Sequence, residues 1–469
     1  MAANPPPNVL IVGAGLGALF LAIVLEKAGI PYHIYEKAAT VKPLGSILVL
    51  NASIIPAFDQ LGLLEDLKKF SYPLQEVDIL REDMSRLGTI DYSCSETEAG
   101  YPSYVFQRPD LYDLLLSKVP AEKISFNQQI VDIKQDEQGV TIVTSNKEVF
   151  RGDILVGADG VRSTVRQLLY NQMLDKGIEL PVSDTNGKLR VDYICIVGVT
   201  EPLDPEKFPE LKDNRCHYVD IIGDNKTHCW VYITLPNNRI GYMIFESVDT
   251  KAAEDLDALQ KARLDPAWRE RVLSDASGLP IMNVGDDQRT LGDLIRATLP
   301  SRLSIVLIEE KLFETWYHGR TVMIGDAIHK MHPSSGQGCV NAMQDAIVLG
   351  NVLYDISDGA KPVNATAITE AFKEYRKQRF PYAKYHVADA HLFARIVLGK
   401  KWVERLLRNL VVRCPKWLMT SMVLKAARYR PQVAFMPLVP NPRLTVIPQI
   451  LSKRYMVHQA SKEKEAAGP

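Results

Sequence analysis

Apolar residues follow two rhythms along the chain, and the switches between them outline the elements. Val9-Leu10-Ile11-Val12 is a four-residue β-favouring run. It passes directly into Gly13-Ala14-Gly15-Leu16-Gly17-Ala18-Leu19 and then into an amphipathic segment reaching Lys27. That order predicts strand, tight turn, helix. Tyr32-His33-Ile34-Tyr35 predicts a second strand, closed by Glu36, and Gly45-Ser46 leads into a third at Ile47-Leu48-Val49-Leu50. Ile55, Phe58, Leu61 and Leu64 recur at helical spacing and predict one helix over 52–70. The stretch 76–106 alternates in short strand-like runs. Gln107-Arg108-Pro109-Asp110-Leu111 opens a helix with proline in its first turn, where the missing N–H costs nothing. A strand meander over 124–150 precedes a fully apolar strand, Ile154-Leu155-Val156-Gly157.

Beyond residue 190 the period becomes two. Arg190–Val199, Cys216–Ile222, His228–Leu235 and Arg239–Glu246 predict successive antiparallel strands with turns at 223–226 and 236–238. The stretch 251–300 reads as charged helix, Thr321–Ile324 as a last buried strand, and 341–428 as mostly helical. Residues 431–448 are irregular. The Lys- and Glu-rich tail after Met456 has the composition of a disordered segment.

Seventeen uncharged residues separate Asn8 from Glu26, but three glycines interrupt them and no Lys or Arg precedes Lys27, which argues against an anchor or a signal peptide. The chain has 469 residues, more than one ordinary core holds, so two joined domains are expected. A net charge of −1 argues against a nucleic-acid binder. The six cysteines are scattered without metal spacing, which suits a cytoplasmic protein with reduced thiols and no metal.

Three turns need one explanation. They are Gly13-x-Gly15-x-x-Ala18, Asp153-x-x-x-Gly157-Ala158-Asp159-Gly160-x-x-Ser163, and Gly325-Asp326-Ala327-x-His329 followed by Pro333 and Gly336-Gln337-Gly338. In the first, Gly13 permits the turn, Gly15 admits a pyrophosphate to the backbone, Ala18 keeps the helix close to the strand, and the helix N-terminus offers N–H groups to phosphates. Glu36 stands at the distance where an acid accepts ribose hydroxyls, so a dinucleotide is indicated; which one stays open at this point. Any one of these turns reads equally well as a capping turn, but three in this order point to a cofactor.

With these motifs the chain resembles the single-component, group A FAD-dependent monooxygenases of the aromatic-hydroxylase superfamily, over essentially residues 8–360. Trp316-Tyr317-His318-Gly319-Arg320, His329-Lys330-Met331 and Arg430-Pro431-Gln432 are similar to its fungal branch of terpenoid and indole-diterpene epoxidases. The resemblance implies an α/β fold: a Rossmann-like FAD-binding domain of glutathione-reductase type, an interleaved antiparallel-sheet substrate domain and a helical C-terminal region. The corresponding boundaries are 1–75, 107–189 and 313–355 for the FAD-binding parts, 76–106 and 190–312 for the substrate side, and 356–469 for the helical region and tail.

The resemblance also implies the site. Gly13, Gly15, Gly17 and Ala18 would cradle the pyrophosphate, with Glu36 on the adenosine ribose and Lys37, Gly45 and Arg108 nearby. Asp159 and Gly160 would serve FAD and a nicotinamide donor, and Asp326 the ribityl chain. Pro333, Gly336, Gln337 and Gly338 would line the isoalloxazine ring. Cys339 and Val340 depart from the family pattern after that loop, with an asparagine one place late at Asn341. NAD(P)H would reduce the flavin, dioxygen would form a C4a-hydroperoxide, and a small aromatic or prenylated molecule would be hydroxylated or epoxidised. Tyr218, Trp230 and Tyr232 could line its pocket or be plain sheet packing; catalytic side chains are not assigned. A flavin reductase of the same fold and a non-catalytic flavin-binding module are the competing readings. A halogenase is disfavoured, because Trp230-Val231-Tyr232-Ile233-Thr234-Leu235-Pro236 lacks the required tryptophan pair.

Residues 395–430 carry ten Lys or Arg against the single acid Glu404, or +9 in a chain whose total is −1. Trp402, Val403, Leu406, Leu407, Leu410 and Val411 recur there at helical spacing. Such a face either packs on the FAD-binding part or lies on an anionic membrane surface.

Overall fold

In the computed structural model the described residues are 5–40, 47–185, 189–223, 228–248, 265–285, 287–357, 363–399, 401–440 and 443–466. Gly45, Lys400, the expected turn at 224–226 and the 251–264 part of the expected helical stretch lie outside them. The first sheet runs 317–318, 321–323, 154–157, 9–12, 32–35, 124–125, parallel except for its first strand. Its central strands are apolar at every position because helices cover both faces. The Leu16–Ala28 helix packs on one side against the Gln337–Ile356 helix and is buried along nearly its whole length.

The second sheet has eight strands in the order 329–330, 303–312, 190–199, 239–247, 228–235, 218–222, 76–81, 86–91. All its pairings are antiparallel except 218–222 with 76–81. Helices Pro266–Ser277 and Leu291–Arg296 cover its outer face. Its inner face turns to the 34-residue helix Ala365–Leu398 and to a small sheet of strands 47–50, 103–107 and 72–74.

Four expectations change. The helix over 52–70 is two short ones, Ile55–Gln60 and Leu64–Lys68, divided where Gly62 turns left-handed at φ +73°. Within 76–106 a helix, Ser93–Ala99, interrupts the strands. Within 251–300 a hairpin, Pro280–Val284 with Asp287–Thr290, separates the helices. The tail after Met456 continues a helix, Lys453–Ala466. It is tied down at its start, where Ser452 Oγ donates to Asp355 at 2.5 Å and Arg454 Nη1 donates to the Ser357 carbonyl at 2.7 Å.

Candidate cofactor and substrate site

The three glycine-bearing turns stand side by side. Strand 9–12 pairs with 154–157 and that strand with 321–323, so Val12, Gly157 and Met323 form one row at the carboxyl edge of three adjacent parallel strands. Ligands bind at that edge in open α/β sheets.

Gly13 has φ +98°, and a Cβ there would stand 2.6 Å from the Ala158 carbonyl oxygen of the second turn. The two turns touch, and only glycine fits. The helix that follows begins at Gly15 with no side-chain cap and no acid in its first turn, leaving its first N–H groups for an anion. Glu36 reaches back into the turn: its carboxylate accepts from Ala14 N–H at 2.8 Å and from Ala38 N–H at 2.9 Å. Lys37 is exposed beyond it. A Cβ on Gly17 would meet Ala342 Cβ at 3.1 Å, and one on Gly325 would meet the same atom at 3.0 Å, so Gly17 holds the two helices and the third turn together.

In the second turn Asp159 accepts from Ser163 Oγ at 2.5 Å and Val165 N–H at 3.1 Å, capping the Thr164–Asp175 helix. Burial pushes its carboxyl up, against those hydrogen bonds. Gly160 is left-handed with open space beside it. Arg166, which the sequence did not single out, ties this turn to the third by donating to the Ala327 carbonyl at 2.6 Å while lying 3.9 Å over the Phe313 ring.

In the third turn Asp326 pairs with Lys330 at 2.5 Å, and this carboxylate holds the ammonium above its ordinary value despite burial. Arg108 opens the Arg108–Ser117 helix, and its charge is felt at both Lys330 and Cys339. Burial raises the Cys339 thiol to about 12. Gly336, at φ +63°, begins the Gln337–Ile356 helix, again with no side-chain cap and no first-turn acid. Pro333 is exposed at the rim of this loop. Ser335 Oγ, Gln337 Oε1 and His332 Nε2 are buried without a hydrogen-bond partner among the described residues. Two open helix N-termini, a glycine-only contact and orphaned polar atoms in one place fit a dinucleotide with a polar ring edge.

A fully buried network fixes the third turn from behind. Asp345 accepts from Gly325 N–H at 2.9 Å and from Arg379 Nε at 2.8 Å, and lies 2.5 Å from His329 Nε2. Arg379 also donates to Gln344 Oε1 at 3.0 Å and Asn341 Oδ1 at 2.8 Å. Burial would raise the Asp345 carboxyl, but His329 and Arg379 more than offset it and hold it below its usual range. The displaced Asn341 is thus a structural member of this network, 2.9 Å from His386 Nδ1.

The substrate-side residues divide between the two faces of the second sheet. Trp230 and Tyr232 are buried in the core beneath the outer helices, with the Trp230 indole donating to the Pro280 carbonyl at 2.6 Å. Both take part in the packing of that outer face, one of the two roles left open for them by the sequence. Tyr218 lies on the inner face, against the same buried cluster that Val49, Tyr72, Tyr92 and Met243 pack on. Val49 in turn stands 3.8 Å from where a Gly336 Cβ would be. This patch carries Asp220, whose Oδ1 is 3.0 Å from Cys229 Sγ and whose carboxyl burial raises to about 6.

A family profile described as FAD binding domain matches residues 7–190 and 289–390. The chain is 28% identical over 392 residues to the FAD-dependent monooxygenase ausM of Aspergillus calidoustus, covering 83% of this chain and 80% of that protein. It is 28% identical over 438 residues to atmM of Aspergillus flavus (92% and 87% covered) and 29% over 383 residues to paxM of Penicillium paxilli (80% and 75%), both also FAD-dependent monooxygenases. Among solved structures, Klebsiella pneumoniae HpxO complexed with FAD and uric acid superposes with a TM-score of 0.69 at 18% identity, covering 90% of this chain and 96% of that one. Pseudomonas aeruginosa PqsL in complex with 2-aminobenzoylacetate gives 0.63 at 21% identity, with 87% and 99% covered. At these identities the structures speak for the fold.

Proposed function

The chain belongs to the FAD binding domain family and is an FAD-dependent monooxygenase, and from that premise we propose that it uses NAD(P)H and dioxygen to hydroxylate or epoxidise a small aromatic or prenylated substrate. When bound, FAD would supply the redox chemistry, hydride acceptance and oxygen activation. The observation that carries the reading is the meeting of three turns and two uncapped helix N-termini at one sheet edge.

In this reading the N–H groups of the Leu16–Ala28 helix and the Gly13–Gly15 backbone hold the pyrophosphate, and Glu36 the adenosine ribose. Arg108 and Asp326 lie along the ribityl side, with Asp159 and Gly160 between the cofactor and the donor. Pro333, Gly336, Gln337 and Gly338 frame the ring, and the N-terminus of the Gln337–Ile356 helix turns its positive end toward charge on the ring's pyrimidine edge. Val49, Tyr92, Tyr218 and Met243 exclude water and hold an apolar substrate over the ring. The FAD-binding parts are then 1–75, 107–189 and 313–355, the substrate side 76–106 and 190–312, and the place of work the cytoplasm.

The test is NADPH and NADH oxidation by FAD-reconstituted protein with panels of aromatic and prenylated compounds, with hydrogen peroxide and ¹⁸O incorporation measured together. One oxygen atom in the product supports the proposal. Donor oxidation coupled to a product without ¹⁸O makes it a reductase, and FAD binding without donor oxidation makes it a binding module.

A further inference from the structure

The helix Trp402–Val412 sits on the protein with its polar side inward. Glu404 and Arg408 are buried, whereas Trp402 is 76%, Leu406 51% and Leu410 59% exposed. The inversion has a local cause. The preceding helix ends at Leu398 with carbonyls that need donors, and Arg405 Nε donates to Gly399 O at 2.9 Å and Arg408 Nη1 to Val397 O at 2.9 Å. Glu404 meanwhile accepts from Arg395 at 2.7 Å and from the Lys401 N–H at 3.0 Å. The apolar side is left facing solvent. The neighbouring helices also leave large apolar side chains in solvent: Trp417 of Lys416–Ala427 is 72% exposed, and Leu392 and Phe393 of the preceding helix are exposed as well.

An exposed apolar helix side of this kind on a folded chain marks a contact surface. We propose that it docks on an anionic lipid bilayer. Charge chooses the occupant. The segment carries +9 of a chain that totals −1, so a second copy would meet its own positive patch. Arg395, Arg408 and Arg430 are used inside the fold, but Lys401, Arg413, Lys416, Lys425 and Arg428 of the same segment are exposed. Two exposed tryptophans, each preceded in sequence by an exposed lysine, match the interfacial layer of a membrane, where an aromatic ring is half-wet and lysine meets lipid phosphate. No described helix is long and apolar enough to cross a bilayer, so the contact is on the surface. The inner side of the same helix reaches the substrate-side sheet: Arg408 acts electrostatically on Asp220 and Cys229, and Val412 packs against Gly88. Docking would thus set the substrate wall of the proposed function next to the lipid, although the docking itself does not depend on that reading.

The experiment is co-sedimentation of the FAD-loaded full chain with vesicles of phosphatidylcholine alone or with 30% phosphatidylserine (roughly a cytoplasmic-leaflet charge), at low and high salt. Binding to the anionic vesicles that high salt weakens is the expected result. Lys401→Gln with Lys416→Gln should lower partitioning by about fivefold per charge removed. Trp402→Ser with Leu406→Gln and Trp417→Ser should abolish it, while flavin absorbance shows that the fold survives. Equal recovery in the supernatant with both vesicles overturns the proposal. So does unchanged binding of the apolar-face variant, or a dimer in ultracentrifugation that this variant splits. Vesicle binding by a protein inactive with every substrate panel would leave docking supported and the proposed reaction refuted.

Discussion

Asp345→Asn tests the claim that the third turn is held from behind by a buried charge network. One Asp345 oxygen receives Gly325 N–H at 2.9 Å and faces His329 at 2.5 Å, and the other receives Arg379 Nε at 2.8 Å. Both side chains of the Asp345–Arg379 pair are 0% exposed. Asparagine keeps the shape but has one acceptor, so its NH₂ must point at either Gly325 N–H or the Arg379 guanidinium, both of them donors. It also leaves Arg379 charged and buried. Breaking a buried pair from one side costs about 3–5 kcal/mol. Urea unfolding at pH 7 should therefore show a loss of that size, and flavin affinity should fall with it, because Gly325 anchors the Asp326 turn. In the double variant Asp345→Asn with Arg379→Met the stranded charge is gone, so its total cost should be smaller than the sum of the two single costs. A single-variant loss under about 1 kcal/mol, or strict additivity in the double variant, would refute the network as the anchor.

Gly13→Ala should abolish FAD retention on a size-exclusion column, because the methyl would sit 2.6 Å from Ala158 O at a φ of +98°; a yellow Gly13→Ala protein contradicts the close contact of the first two turns. Glu36→Arg should weaken FAD affinity without moving the NADPH-to-NADH preference, measured as the ratio of kcat/KM values; an inverted preference would put the donor in the first turn instead. Asp220 has a carboxyl raised from 3.8 to about 6, so the native state favours its proton and the group's contribution to stability falls as pH rises through that window. Asp220→Asn, which can still accept from Cys229, should flatten the stability profile between pH 4 and 6 and gain up to about 3 kcal/mol at pH 7; an unchanged profile in differential scanning fluorimetry would show that the carboxyl is not buried as charged.

The three turns were legible in the sequence because each is dictated locally. An apolar run buried on both faces cannot hide its length, and a glycine that must turn left-handed or pass within 3 Å of another backbone cannot be replaced, as Gly13 shows. Orientation was not legible. The strand His228–Leu235 is buried at seven of its eight positions, so alternation says that Trp230 and Val231 point opposite ways but not which one meets the cofactor side. The tail read as disordered by composition becomes a helix through tertiary anchors on Asp355 and Ser357, which lie 97 residues before their partners.

Arg379 did leave a trace. On the Ala365–Leu398 helix the buried stripe runs Phe372, Tyr375, Arg379, Ala383, His386, Ala390, Ala394, and a charge set in such a stripe must have a buried counter-charge. Finding Asp345 as that partner needs the fold. The Trp402–Val412 helix is the opposite case, since its periodicity announces an apolar face and says nothing of which side is covered. Covering is settled by what the neighbouring helix end lacks, and here it lacks hydrogen-bond donors. Supplying Arg405 and Arg408 to those carbonyls forces the tryptophan and leucines outward. The same substitutions that would make the exposed side polar therefore leave the fold's own requirement untouched, so the docking test separates the surface from the structure beneath it.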